Sequence, residues 1–361
     1  MSKWTGWSGL AAAMLALSAC ASTNAPSECT PRMNEMQAIG SHNSYKLAIP
    51  PNELAILAER SPKWGAALDY AHIALFEQLE LGMRQLELDV FYDPVGGRYV
   101  DPLLPRMVGA AIGNQTSLNE PGFKVMHVQD VDARSSCALL VQCLAEIQTW
   151  SITHPDHAPI LILINAKQAK IDLPGSVDPL PFDAAAFDAL DAEIRSIFGA
   201  DQLLSPDDVR GEFKTLREAV LTRGWPEEAL GQVFFALDEG PDVIETYRRG
   251  ANALQGHAIF VNSSDTNADD AAYFTINEPI ENGDLIAERV AQGFIVRTRA
   301  DADTVEARTG DRTRLDAALA SGAQYISTDY YQPRVEWSDY VAALPDGGPI
   351  RANPVRSCAI P

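Results

Sequence analysis

Short apolar runs, rich in β-branched and aromatic residues and bounded by turn residues, recur along the chain with helix-periodic segments between them. The runs predict strands at Met36–Gly40, Gln85–Val90, Lys124–Val128, Ile160–Ile164, Val233–Leu237, Ala258–Val261, Phe294–Thr298 and Gln324–Ser327. Amphipathic spacing predicts helices within Ala66–Leu81, Cys143–Thr153, Asp183–Phe198, Leu285–Gln292 and Arg312–Ser321. Eight strands alternating with helices predict the α/β class and a (β/α)8 TIM barrel. An open α/β sheet is the alternative, but no Gly-rich phosphate loop follows any of these strands. The chain carries no repeat of solenoid length and no low-complexity tract.

The first twenty residues follow a different pattern. Lys3 gives a basic start, Leu10 to Leu17 form an apolar run too short to span a bilayer, and Leu17-Ser18-Ala19-Cys20 ends it. That ending resembles a bacterial lipobox, which implies cleavage before Cys20 and its acylation. Ala19 and Ala21 also fit plain secretory cleavage. Ser22, rather than Asp, points to an outer-membrane or cell-surface lipoprotein; a secreted or periplasmic protein is the alternative. The expected organisation is therefore a signal peptide at 1–20, a linker at 21–31 and one catalytic barrel at 32–361. In an oxidising compartment, Cys29, Cys137, Cys143 and Cys358 suggest two disulfides, with three pairings open. Cys137 and Cys143 are close enough to pair locally, which leaves Cys29 with Cys358 across the chain ends; free thiols are the alternative.

Charge narrows the partners. With 28 Lys and Arg against 49 Asp and Glu, the chain stands at −21 at pH 7. Such a surface repels nucleic acid and does not suit a basic helix on anionic lipid. No protein partner is implied. An anionic substrate would need local neutralisation, for which a divalent cation is the first candidate.

Candidate chemistry collects at the carboxyl ends of the predicted strands, where barrels carry their active sites. The first strand ends in Gly40-Ser41-His42-Asn43-Ser44-Tyr45. The second reads Leu86-Glu87-Leu88-Asp89-Val90, and two-residue spacing puts Glu87 and Asp89 on one face. Charges are costly on the helix-packed face, so the pair points inward. The third places His127 near its end. Carboxylates with an amide oxygen suit a hard cation such as Ca2+, and two imidazoles suit general acid and base work. A structural ion pair with an arginine is the plainer reading of Glu87 and Asp89, and satisfied loop or core residues that of His42, Asn43 and His127.

Gly40–Lys46 (GSHNSYK), Leu86–Val90 (LELDV), Phe123–Cys137 (FKVMHVQDVDARSSC), Trp150–Pro159 (WSITHPDHAP), Arg297–Ala302 (RTRADA) and Ala320–Tyr331 (ASGAQYISTDYY) together resemble the Ca2+-dependent phosphoinositide-specific phospholipase C family, on its phosphodiesterase version of the TIM barrel. The resemblance spans about residues 33–335 and keeps the order of motifs. It implies cleavage of phosphatidylinositol at a membrane surface to diacylglycerol and inositol phosphate. His42 would act at the inositol 2-hydroxyl or the phosphate, and His127 would protonate the leaving oxygen. Asn43, Glu87 and Asp89 fall where the family places its Ca2+ ligands, with Mg2+ as the other ion to consider. One departure stands out: the fourth strand ends Ile164-Asn165-Ala166-Lys167, where relatives commonly carry a Glu. Asn165 can offer a carbonyl oxygen, but the site loses a negative charge and Lys167 adds a positive one, which puts metal dependence in question.

Arg297 and Arg299 share one face of the seventh predicted strand and suit phosphate, though an acidic chain also uses arginine against its own carboxylates. Asp238 and Asp329, after the fifth and eighth strands, are candidates for inositol hydroxyls. Asp132 and Arg134 organise the mouth or cap the next helix, whereas His154 and His157 precede a strand and are read as structural. Leu103–Ile112 is apolar and is read as packing ahead of a lipid-contacting surface. A glycerophosphodiester phosphodiesterase, a sphingomyelinase D-like enzyme and a non-catalytic lipid-anchored binding protein are the other functional readings.

Overall fold

The computed structural model describes residues 32–113, 115–227 and 229–357. The expected signal peptide with Cys20, the linker with Cys29, and Cys358 lie outside the described residues. Cys137 and Cys143 form the local disulfide, with their Cα atoms 5.2 Å apart.

Ten strands lie among the described residues: β1 (Met36–Ser41), β2 (Gln85–Phe91), β3 (Lys124–Val125), β4 (Ile160–Ala166), β5 (Val233–Leu237), β6 (Ile259–Val261), β7 (Tyr273–Thr275), β8 (Ile295–Arg299), β9 (Tyr325–Thr328) and β10 (Arg351–Ala352). Eight run parallel in the order β6-β5-β4-β2-β1-β9-β8-β7. The ring nearly closes between β6 and β7, where Asn262 pairs with Tyr273 in a lone parallel bridge. There Asn262 Oδ1 also accepts the Thr275 N–H at 2.9 Å. The result is a nearly closed eight-stranded parallel barrel, the expected (β/α)8 TIM barrel.

Its strands are buried on both faces, which is why they read as unbroken apolar runs. Ile160 to Ile164 of β4 are all fully buried. Helix Leu140–Thr153 covers this wall with Leu144, Ile147 and Trp150. Helix Ala184–Ile197 starts at Asp183, whose carboxylate accepts the Ala186 N–H at 2.9 Å, and buries Phe187, Leu190 and Ile194.

Three expectations are corrected. The third predicted strand shrinks to Lys124–Val125 and lies off the barrel, antiparallel to the end of β2. The missing barrel strand is β7, three residues in a stretch of Asp, Ala and Asn too short to register as a run. The predicted helix within Ala66–Leu81 is two, Pro62–Ala67 and Leu75–Glu80. Between them the backbone turns to Lys46: Lys46 O accepts the His72 N–H at 2.9 Å, and Lys46 Nζ donates to Leu68 O at 3.0 Å and Tyr70 O at 2.7 Å.

β1 and β2 share a single register pair, Gly40 opposite Gln85. Beyond it Val90 and Phe91 of β2 pair with β3. The strand that leads to His127 is thus seated at the mouth without belonging to the ring. The contact at Gly40 tolerates no side chain, since a Cβ would stand 2.4 Å from Gln85 Cβ and 2.5 Å from Gln85 O. Gly40→Ala is expected to cost about 1–3 kcal/mol through overpacking. A thermal melt reads this as a lower Tm; an unchanged Tm would show that β1 and β2 part here without penalty.

Candidate active site

β1 delivers His42 one residue beyond its last, and the backbone then turns through Asn43 at φ +49°, a left-handed conformation that asparagine tolerates better than most residues. The turn is locked to β2: Ser44 N–H donates to Glu87 O at 3.0 Å, and Glu87 N–H donates to Ser44 Oγ at 2.7 Å. Asn43 Nδ2 donates to Tyr70 Oη at 2.6 Å.

His42 Nδ1 lies 2.9 Å from Asp329 Oδ1, which assigns its proton to Nδ1 and leaves the Nε2 lone pair free. Arg299 Nη2 approaches both, at 3.3 Å from His42 Nδ1 and 3.7 Å from Asp329 Oδ2. Burial, then Arg299, holds the His42 pKa well below its ordinary value. His42 is therefore a neutral imidazole near neutral pH, the form a general base requires. His72 supports it from behind, its Nε2 donating to His42 O at 2.8 Å. Burial lowers the His72 pKa to about 4, so it too is neutral.

His127 stands on a second, similar pair. Its Nδ1 donates to Asp132 Oδ2 at 2.9 Å, and Lys46 Nζ reaches the same oxygen at 3.4 Å. Burial would raise the Asp132 pKa, but Lys46 and His127 outweigh it and hold the carboxyl below its ordinary range. The His127 side chain keeps 20% of its surface exposed, so the ring is reachable from the mouth.

Between the two histidines lies a lattice of buried opposite charges. Glu87 Oε2 accepts Arg297 Nη2 at 2.6 Å, and Oε1 accepts Asn165 Nδ2 at 3.1 Å while lying 3.7 Å from His42 Nε2. Lys167 Nζ is 2.8 Å from Asp89 Oδ2. Asp238 accepts Asn262 Nδ2 at 3.3 Å, and burial raises its pKa against the pull of Arg297. The predicted site residues of the barrel, His42, Asn43, Glu87, Asp89, His127, Asn165, Lys167, Asp238, Arg297, Arg299 and Asp329, therefore gather at one mouth. His154 and His157 do not join them. His157 Nε2 meets Ser151 Oγ at 2.7 Å, and His154 stacks on Trp150 with ring centres 4.2 Å apart.

Sequence reasoning missed Tyr70, His72, Asp301 and Glu239. Asp301 Oδ1 accepts the Asp329 N–H at 2.8 Å, and burial, then repulsion from Asp329, pushes its pKa up to about 7. Glu239 Oε1 accepts the Ala166 N–H at 2.7 Å, and burial pushes its pKa up to about 7. The strand-end rule could have found Glu239, which follows β5 directly after Asp238. Tyr70 and His72 gave no such signal, because the irregular segment that carries them was read as helix.

A parallel barrel thus carries two carboxylate-backed histidines beside buried guanidinium and ammonium groups. Residues 31–354 match the family model described as "Phosphoinositide phospholipase C, Ca2+-dependent", and the chain belongs to that family. Solved structures agree in fold. The calcium-dependent phosphoinositol-specific phospholipase C of a Pseudomonas species is 15% identical over 89% of this chain and 95% of its own, at a TM-score of 0.55. The Ca2+-dependent phosphatidylinositol-specific enzyme of Streptomyces antibioticus is 18% identical over 83% and 95%, at 0.52. No curated protein sequence matches the chain.

The ion named by the family can be tested against the side chains. Asn43, Glu87, Asp89 and Asn165 are neighbours, yet both carboxylates among them already hold cationic partners, and the two amides are engaged through their Nδ2 groups only. Glu87 is held by Arg297 and Asn165, Asp89 faces Lys167, and the Asn43 amide is tied to Tyr70. Among the described residues, no three His, Cys, Asp or Glu side chains are grouped to hold a metal ion. These side chains do not compose a Ca2+ ligand set, and no catalytic step below runs through one.

The electrostatics of His42 can be measured directly. In an NMR pH titration its imidazole should titrate below the ordinary value of about 6.5. Arg299→Gln removes a lowering influence and should move that midpoint up. A His42 midpoint at or above the ordinary value, or one indifferent to Arg299, would contradict the assignment of a neutral base.

Proposed function

We propose that the chain cleaves phosphatidylinositol at a lipid surface by general base and general acid catalysis. The observation that carries this reading is the pair of histidines, each fixed through Nδ1 to a buried carboxylate, Asp329 for His42 and Asp132 for His127. The inositol 2-hydroxyl gives its proton to His42 Nε2 as its oxygen bonds to phosphorus. The bond from phosphorus to the glycerol oxygen breaks, and that oxygen takes a proton from His127. Diacylglycerol leaves, and the inositol keeps a cyclic phosphate that water opens by the reverse proton path. Arg299, Arg297 and Lys167 supply positive charge around the phosphoryl oxygens. Because nucleophile and phosphate belong to one molecule, orientation supplies much of the rate.

A lipid leaving group is supported by an apolar cavity of about 420 Å³ lined by Leu57, Leu68, Val128, Val131, Ile171 and Leu173. Val128, the residue after His127, lines it, which ties the cavity to the segment that carries the general acid of this reading. Arg60 and Lys63 also line it, together with Trp64, which is 54% exposed. Asp172 and Asp303 balance those two cations, so the membrane contact rests on the apolar lining and the exposed indole, which suits a bilayer interface.

Two variants separate chemistry from docking. His127→Ala should lose at least ~10²-fold in turnover of phosphatidylinositol in micelles, as expected for a missing general acid. Wild-type turnover by this variant would remove His127 from the mechanism. Trp64→Ala should weaken sedimentation with phosphatidylinositol-containing vesicles while leaving turnover of a short-chain monomeric substrate intact. Equal vesicle binding by the variant would place the membrane contact elsewhere.

A further inference from the structure

The family takes its name from Ca2+, whereas the mouth of this barrel is filled by the chain's own cations. At the end of β4 the side chain is Asn165, a neutral amide, and it donates to Glu87 rather than adding a third carboxylate. Two residues on, Lys167 reaches back over Asp89 at 2.8 Å. Asp89 is fully buried and Lys167 is the cation that meets it, so the ammonium is its counter-charge. Arg297, itself 1% exposed, does the same for Glu87. Glu239, the other carboxylate near Lys167, is turned to the Ala166 N–H. A divalent ion entering here would have to displace Lys167 from Asp89 and stand beside the Arg297 guanidinium that already holds Glu87.

We propose that the Lys167 ammonium takes the place of a divalent cation in this chain, so that phosphate charge is met by Lys167, Arg297 and Arg299 with no bound Ca2+. Lys167 is suited to this, for 33% of its side chain is exposed toward the mouth while Asp89 anchors its charge from below. The catalytic half of the proposal rests on the phosphodiesterase reading; the cation half stands on the side chains alone.

The test begins with Ca2+ binding to the intact chain by titration calorimetry, which needs no substrate. Wild type should show no binding tighter than about 1 mM. Lys167→Ala combined with Asn165→Glu leaves Asp89 without its partner beside a new carboxylate, and this double variant should acquire a single Ca2+ site. A wild-type site in the micromolar range would overturn the proposal, as would a correctly folded double variant that binds no better than wild type. With phosphatidylinositol, wild-type turnover should survive chelation and Lys167→Gln should lose about 10²-fold, the usual loss for one preorganised donor. Turnover that stops on chelation, or that ignores Lys167→Gln, would also overturn it. Absence of turnover in every condition would instead strike the phosphodiesterase reading, and the calorimetry would still decide whether lysine or metal is the cation.

Discussion

A carboxylate that stays ionised inside the barrel must have a counter-charge, and the mouth of this barrel is arranged around that requirement. Leaving a buried charge unpaired costs about 3–5 kcal/mol, a large share of a domain's net stability. Glu87, Asp89, Asp132 and Asp329 are each met, by Arg297, Lys167, Lys46 and Arg299 in turn. The pairing also aims the chemistry. Asp329 and Asp132 are the groups that hold the two imidazoles by Nδ1, so the charges that stabilise the mouth select the tautomers that act there.

The sheet makes this possible by failing to pair completely. β1 and β2 meet at one register position, and the free edge at the end of β2 takes β3 in the opposite direction. His127 thereby reaches the site from outside the ring, across from His42 on the ring itself. A regular barrel strand would place its last residues beside those of its neighbours; the inserted strand instead brings a second imidazole over the gap, next to the apolar cavity. Both imidazoles and the apolar cavity are laid out by one departure from regular topology.

Much of this was legible in the sequence, for physical reasons that can be named. The inward direction of Glu87 and Asp89 follows from strand period and the cost of charge against helices. The β4 core follows from its apolar run. Convergence of His42, Asn165, Lys167, Arg297 and Asp329 follows from the rule that parallel barrels work at the carboxyl ends of their strands. What was not legible depends on pairing between distant segments. An apolar run cannot announce whether its partner is parallel, so Lys124–Val125 was assigned to the ring. Three residues at β7 are too few for periodicity to register. Residues 68–74 look helical until Lys46 claims their carbonyls, and Tyr70 and His72 entered the site through that exchange. The counter-charges of Asp89 and Glu87 were visible as residue types, but not as contacts.

If His42 and His127 act as proposed, the phosphorus–oxygen bond on the glycerol side is the one that breaks. The most direct measurement is phosphorus NMR of phosphatidylinositol vesicles mixed with the wild-type chain. The lipid phosphodiester signal should be replaced by that of a water-soluble cyclic inositol phosphate, later opening to the monoester, with no phosphate left on the lipid. Phosphatidic acid as the phosphorus-bearing product would contradict it, because the bond broken would then lie on the inositol side, where neither His127 nor the apolar cavity is placed to assist.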